Sequence, residues 1–298
     1  MIHSNRYFLY IVCGCLTIYS LSCHALLIPK KDYQRERVIY LYNGPGTSEE
    51  SVRHTEHTLK HLVNQSYTIH KIGPKEVAEG LWVKDAVLFI MPGGADIPYV
   101  KHLKSVGNNK IKDFVKKGGS YLGFCAGAYY GSRSVEFARH SPLEVVGKRE
   151  LAFFPGRAVG PTLAKYDYKT NSGARAVEVQ WNVANSSFPV GKKFLVYYNG
   201  GGHFENAKKY KAVKILAKYP SLVGEKAAII EIPVGKGKVI LSGVHCEYAP
   251  KLLNNNDRFL RPIKKTLLAR NQEATLLMST IVERLKISTQ ENTVSLRD

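Results

Sequence analysis

The chain is short of cysteine, of acidic residues and of long apolar runs, and each shortage excludes something. Of 298 residues five are cysteine, and Cys13, Cys15 and Cys23 fall within the first 25 positions. The two that remain, Cys125 and Cys246, cannot staple a domain of this size. A disulfide framework is thereby excluded, and a chemical role for at least one thiol becomes the simplest reading. Were the two thiols neighbours, a bridge between them would silence either one as a nucleophile.

No apolar run reaches the ~20 residues that a bilayer-spanning helix needs. The longest, Tyr7 to Leu21, follows Arg6 and leads into Ser22-Cys23-His24-Ala25. That pattern reads as a secretory signal ending in a small residue, so residues 1–25 are set apart and export to the periplasm or beyond is expected. A lipoprotein signal acylated at Cys23 is the rival, weakened by Ser20 standing where an aliphatic residue belongs.

Acidic residues number 24 against 43 lysines and arginines, a formal charge of +19 that becomes +18 without Arg6. A surplus of this size suits an anionic envelope surface. The lysines are nevertheless spread over several segments without interleaved aromatic platforms, so no specific nucleic-acid partner is expected.

What the sequence does have is a strand-helix rhythm. RVIYLY (37–42), YTIHKI (67–72) and AVLFIM (86–91) are short β-rich runs, each followed by turn residues and a helix-like segment. The first gives way to Asn43-Gly44-Pro45-Gly46 with a helix cap at Thr47 or Ser48. In the helix that follows, His54, His57 and His61 fall at i, i+3 and i+7; they could share a face and ligate a metal, but no fourth ligand is identifiable and a polar face is the preferred reading. The rhythm predicts a doubly wound, mostly parallel sheet with its active centre outside the carboxyl ends of the strands.

The rhythm culminates in GGSYLGFCAGAYYG (118–131). A strand at 120–122 turns through Gly123-Phe124-Cys125-Ala126-Gly127 into a helix, and small residues on both sides of Cys125 are what a strand-to-helix elbow needs. The expected outcome is an exposed thiol capping a helix, a candidate nucleophile. Upstream, Pro92-Gly93-Gly94 directly after a central strand can present backbone N–H groups as half of an oxyanion hole. Downstream, FLVYY (194–198) ends in Asn199-Gly200-Gly201-Gly202, where backbone can approach a ligand or the elbow. Later still, GKVILSG runs into Val244-His245-Cys246-Glu247. In a strand residues i and i+2 face the same way, or, if the strand ends at His245, the carboxylate can fold back under the imidazole; either way Glu247 can orient the His245 ring while the ring takes the thiol proton. Between the elbow and His245, segments 150–160 and 176–181 read as an antiparallel insertion and Lys211–Tyr219 as strand or short helix; beyond Glu247, 274–285 reads as a helix.

Taken together, NGPGTS (43–48), MPGGADIPY (91–99), GGSYLGFCAGAYYGS (118–132), RELAFFPG (149–156), YYNGGG (197–202) and GKGKVILSGVHCE (235–247) resemble the amidotransferase-like N-terminal domain of biotin–protein ligases, within the class I glutamine amidotransferase-like superfamily, in a stand-alone bacterial form. The resemblance implies a flavodoxin-like α/β fold, with Cys125 as nucleophile, His245 as base and Glu247 as orienting carboxylate. Gly94 and Ala126 would supply oxyanion N–H groups, and Gly93, Asn199 and Gly200 would help line the substrate site. Two departures stand out. Tyr129 replaces the glutamine of G-x-C-x-G-x-Q, removing a group that helps seat glutamine, and the usual H-P-E is H-C-E. No glycine- and arginine-rich biotin-adenylate loop is present, so biotin ligation by this chain is not expected.

The expectation is therefore a signal at 1–25, a single domain at 26–286 with its core at 37–255 and a C-terminal helix at 272–286, and a disordered tail at 287–298. Its function would be that of an exported thiol enzyme acting on an amide or peptide-like small molecule, without cofactor or metal. The alternative is a catalytically silent binding module using the same pocket. A redox or glyoxalase-like reading is weaker, since those folds place their acid upstream of the cysteine.

Overall fold

A computed structural model describes residues 37–184, 188–224 and 226–290; the expected signal and residues 291–298 of the expected tail lie outside the described residues. In the first half, β1 (Arg37–Tyr42), α1 (Glu49–Leu62), β2 (Tyr67–Ile72), α2 (Pro74–Glu79), β3 (Ala86–Met91), α3 (Asp96–Lys116), β4 (Ser120–Phe124) and α4 (Ala126–Tyr130) alternate as the apolar runs predict. Ser48 caps α1, its hydroxyl accepting the Ser51 N–H, and Glu49 and Glu50 complement the positive end of the helix dipole.

The second half supplies β5 (Ser132–Phe137), β6 (Val145–Lys148), β7 (Phe154–Gly160), β8 (Arg175–Trp181), β9 (Lys193–Tyr198), β10 (His203–Phe204), β11 (Lys214–Lys218), β12 (Ala227–Val234), β13 (Gly237–Ser242), α5 (Leu260–Ala269) and α6 (Asn271–Arg284). Strands β2, β1, β3, β4 and β13 lie side by side in that order and all run parallel. This is the flavodoxin-like order, in which ligands bind outside the carboxyl ends of the strands.

Successive residues on a strand point to opposite faces, and the two faces carry separate cores. Leu88, Ile90, Leu122, Phe124 and Ile240 pack with Val52 and Leu59 of α1 and Leu277, Met278 and Ile281 of α6. Phe89, Met91, Tyr121, Val239 and Leu241 pack instead with Leu103, Ile111, Phe114 and Val115 of α3. Burial on both sides is why AVLFIM has no polar residue.

Beyond β13 the sheet continues antiparallel through β12 and β10, then β7, β5 and β6, with β11, β8 and β9 branching from β12. The expected antiparallel insertion is mixed, since β5 and β7 pair in parallel. Lys211–Tyr219 resolves into β11, whose pairing with β12 shifts register between Ile215 and Ala217 and again before Lys218. Those irregularities erase the period-2 pattern that would have identified a strand. Residues 260–269, rich in lysine, form the helix α5, which buries Leu260 and Leu267. The expected tail starts too early at 287: Ile287 is buried, the Asn64 N–H donates to Ser288 O and the Gln290 N–H to Leu62 O.

Candidate active site

Four loops at the carboxyl ends of β1, β3, β4 and β13 converge, and Cys125 sits among them. Its backbone is strained, with φ 46° and ψ −106°, a conformation that persists only when its surroundings impose it. They do so through hydrogen bonds and through glycine. The Cys125 N–H donates to Ser242 O at 2.9 Å and the Gly127 N–H to Pro92 O at 3.1 Å, tying the elbow to β13 and to the P-G-G turn. A Cβ on Gly127 would stand 2.0 Å from Met91 O. The thiol itself is not exposed as expected. Cys125 is 8% exposed and forms the floor of a cleft of about 450 Å³.

His245 follows β13, its N–H held by Tyr197 O at 2.9 Å. Its Nδ1 lies 2.7 Å from Oε1 of the fully buried Glu247; β13 ends at Ser242 and Cys246 and Glu247 form a turn, so the carboxylate comes back under the ring and does not share a strand face with it. Cys125 is the ring's other neighbour, and it too favours the charged form. Burial opposes its charge, but the Glu247 carboxylate and then the contact with Cys125 more than offset that, raising the imidazole to about 10. His245 is therefore protonated at neutral pH. Gly93 marks where the pieces meet: a Cβ there would lie 2.9 Å from His245 Cε1 and 3.6 Å from Cys125 Cβ. Beside them, the Tyr248 ring stacks between Tyr197 (4.4 Å) and His54 (4.1 Å) and meets His245 edge-on at 4.7 Å.

The anticipated oxyanion donors have suitable surroundings. The Gly93 N–H is taken by Ser51 Oγ at 2.8 Å, which fixes the turn. Among the described residues the N–H groups of Gly94 and Ala126 have no acceptor. Gly93, Gly94 and Asn199 line the cleft with Cys125 and His245, and the Cys125 thiol donates to Asn199 O at 3.6 Å. Ala126, Tyr129 and Gly200 line instead a chamber of about 20 Å³ that adjoins Cys125. Tyr129 is spent on structure there, donating its hydroxyl to Gly200 O at 3.2 Å.

Two other sequence features resolve differently. Cys246 faces away from the cleft, its sulfur 3.7 Å from Met278 Sδ within the α6 core, and both cysteines are free. The histidine face of α1 divides: His54 is buried, accepting the Ala249 N–H at 3.0 Å, and burial, then Arg53 and His245, lower it to about 3. His57 and His61 stay nearer solvent, with rings 4.3 Å apart. Among the described residues no three His, Cys, Asp or Glu side chains are placed to hold a metal.

Sequence reasoning missed Ser51, Tyr248 and the loop around Tyr166, Asp167 and Asn171, all of which line the cleft. Ser51 is the third residue of a helix and looks like any first-turn serine. Tyr248 directly follows H-C-E, and an aromatic at that place is the one signal the sequence offers for it.

A flavodoxin-like sheet bearing a cysteine elbow, with a histidine–glutamate pair one strand away, defines a class I glutamine amidotransferase-like protein. Within that class the chain belongs to the biotin-protein ligase N-terminal family, whose model matches residues 37–297. It is 40% identical over 213 residues to the biotin–protein ligase of Schizosaccharomyces pombe, covering 71% of this chain and 33% of that protein. The chain thus spans about a third of the ligase's length. It is 35% identical over 270 residues to an uncharacterized protein of Chlamydia muridarum, covering 82% of this chain and 96% of the other. Among solved structures, a glutamine amidotransferase aligns with TM-score 0.48 and 15% identity over 70% of this chain and 90% of its own. A ThuA-like protein of Bacteroides uniformis aligns with TM-score 0.43 and 14% identity over 81% and 91%.

Proposed function

We propose that the protein is an exported thiol enzyme that cleaves or transfers the acyl group of an amide or peptide-like small molecule. The observation that supports this most is the contact chain from Cys125 through His245 to Glu247, with the imidazole raised to about 10 and the 2.7 Å carboxylate contact behind it. In the proposed reaction the Cys125 sulfur adds to the amide carbonyl. The developing oxyanion takes the Gly94 and Ala126 N–H groups. His245 gives its proton to the leaving amine, which departs and leaves an acyl-thioester. The imidazole, now neutral, draws a proton from water or an acceptor nucleophile as that attacks, releasing product and restoring the thiolate.

Free glutamine is a poor candidate substrate, because Tyr129 fills the position that would help seat it. Biotin chemistry belongs, by name, to the fungal ligase, and the part of the ligase matched here is a third of its length. The test is trapping: after brief acid quench of enzyme mixed with a library of small amides and p-nitrophenyl esters, intact-protein mass spectrometry should find an acyl adduct on the Cys125 peptide. Adducts that survive Cys125→Ser unchanged, or none with any acyl donor, would refute the reading.

A further inference from the structure

One ring away from His245 lies a second buried histidine, which takes no part in the reaction above. His54 is fully buried and stands on α1 with Ser51, Thr55 and Thr58, the i, i+3, i+4 and i+7 positions that share one side of a helix. Three of these side chains hold backbone of the site. Ser51 Oγ accepts the Gly93 N–H at 2.8 Å, the Thr58 hydroxyl donates to Glu247 O at 2.7 Å, and His54 Nδ1 accepts the Ala249 N–H at 3.0 Å. The His54 ring also stacks on Tyr248, 4.1 Å away and within 10° of parallel, and Tyr248 in turn meets His245 edge-on.

These bonds matter because the Glu247 carboxylate has little else to place it. Its Oε1 is engaged with His245, and among the described residues its Oε2 has no partner. Where the carboxylate stands is then decided by the backbone of the turn after His245, which α1 grips at Glu247 and again at Ala249. To accept an N–H, His54 Nδ1 must carry no proton, and burial, then Arg53, His245 and His57, all oppose a charge on the ring. The imidazole is therefore a neutral acceptor with its proton on Nε2. Among the described residues that Nε2 has no partner, so the one hydrogen bond the side chain makes is the one to Ala249.

Resting on the thiol-enzyme reading above, we propose that His54 is the positioning residue of the His245–Glu247 pair, fixing the turn that carries Glu247 through its Nδ1 bond to the Ala249 N–H, with the Thr58 bond beside it. The acceptor matters and not the bulk of the ring: without it the Ala249 N–H is left unpaired and the carboxylate is free to move off the imidazole.

Two substitutions separate acceptor from ring. Phenylalanine keeps the stacked ring and removes the acceptor, whereas asparagine removes the ring and carries an oxygen at the same remove from Cβ as Nδ1. Iodoacetamide alkylation of the Cys125 peptide is followed from pH 7 to pH 10 in the parent, His245→Ala, His54→Phe, His54→Asn and Thr58→Val. His54→Phe should slow Cys125 by about fivefold or more at pH 7, as the loss of one buried hydrogen bond implies, and converge on the parent at pH 10, the profile expected of His245→Ala. His54→Asn should recover most of the parent rate. Should His54→Phe fail to fold, Thr58→Val, which trades only a hydroxyl for a methyl, should show the same profile in smaller measure. Parent-like rates in the folded variant that lacks its bond, alkylation faster than the parent at every pH, or a His54→Asn protein as slow as His54→Phe would each overturn the positioning role. The nucleophile survives those results as long as His245→Ala slows Cys125. A Cys125 rate indifferent to the loss of His245 overturns the thiol-enzyme reading and this inference with it.

Discussion

Exchanging Glu247 for glutamine is expected to destabilise the folded protein by roughly 3–5 kcal/mol near neutral pH, the range typical of breaking a buried charged pair. Glu247 is fully buried and His245 nearly so, with the imidazole raised to about 10 by that carboxylate and by Cys125 against the effect of burial. A group whose folded value lies above its unfolded value of about 6.5 stabilises the fold fully below 6.5. That contribution is then lost as pH rises through about 10. In the variant only burial and the neighbouring sulfur remain, so the imidazole falls and most of the contribution goes with it. The stability gap between parent and variant should therefore be widest near pH 6 and close progressively towards pH 10. Urea unfolding across that interval checks this, and two parallel pH profiles would show that the pair contributes nothing.

Gly201→Ala is expected to prevent folding or to cost more than about 3 kcal/mol, through backbone displacement rather than lost contacts. A Cβ at Gly201 would lie 1.8 Å from Gly243 O, and one at Gly243 would lie 1.9 Å from Gly202 O. Neither neighbour is a side chain that can swing aside. The two loops touch back to back, one carrying Asn199 and the other His245. Forcing them apart moves the imidazole relative to Cys125, since His245 is also tied to Tyr197 through its N–H. Thermal unfolding should show the loss directly, and a Gly201→Ala protein within 1 °C of the parent midpoint would mean that the loops are not in contact.

Most of the parallel half of the fold was legible because its strands are buried on both faces and read as unbroken apolar runs, AVLFIM above all. The elbow was legible because strained backbone demands Gly123 and Gly127 around Cys125, and the His245–Glu247 contact because the two residues are close in sequence, although a turn and not a strand brings them together. The exposure of the thiol was not, since burial of Cys125 depends on the loops holding Tyr166 and Asn199, which are distant in sequence. The histidines of α1 show a related limit: spacing placed His54, His57 and His61 together, but contact with Tyr248 and Ala249, nearly 200 residues away, takes His54 into the interior. Strand β11 was obscured by its register shifts, and α5 by lysines that concealed two buried leucines. In each case the missing information lay in long-range packing, which periodicity does not record.

The most direct test of the central claim is the pH dependence of iodoacetamide alkylation at Cys125, read peptide by peptide in the parent and in His245→Ala. The account predicts that Cys125 reacts well ahead of the α6-facing Cys246, and that the substitution slows it about tenfold or more at pH 7 while leaving little difference at pH 10. Equal reactivity of the two cysteines, or a Cys125 rate at pH 7 indifferent to the loss of His245, would contradict it.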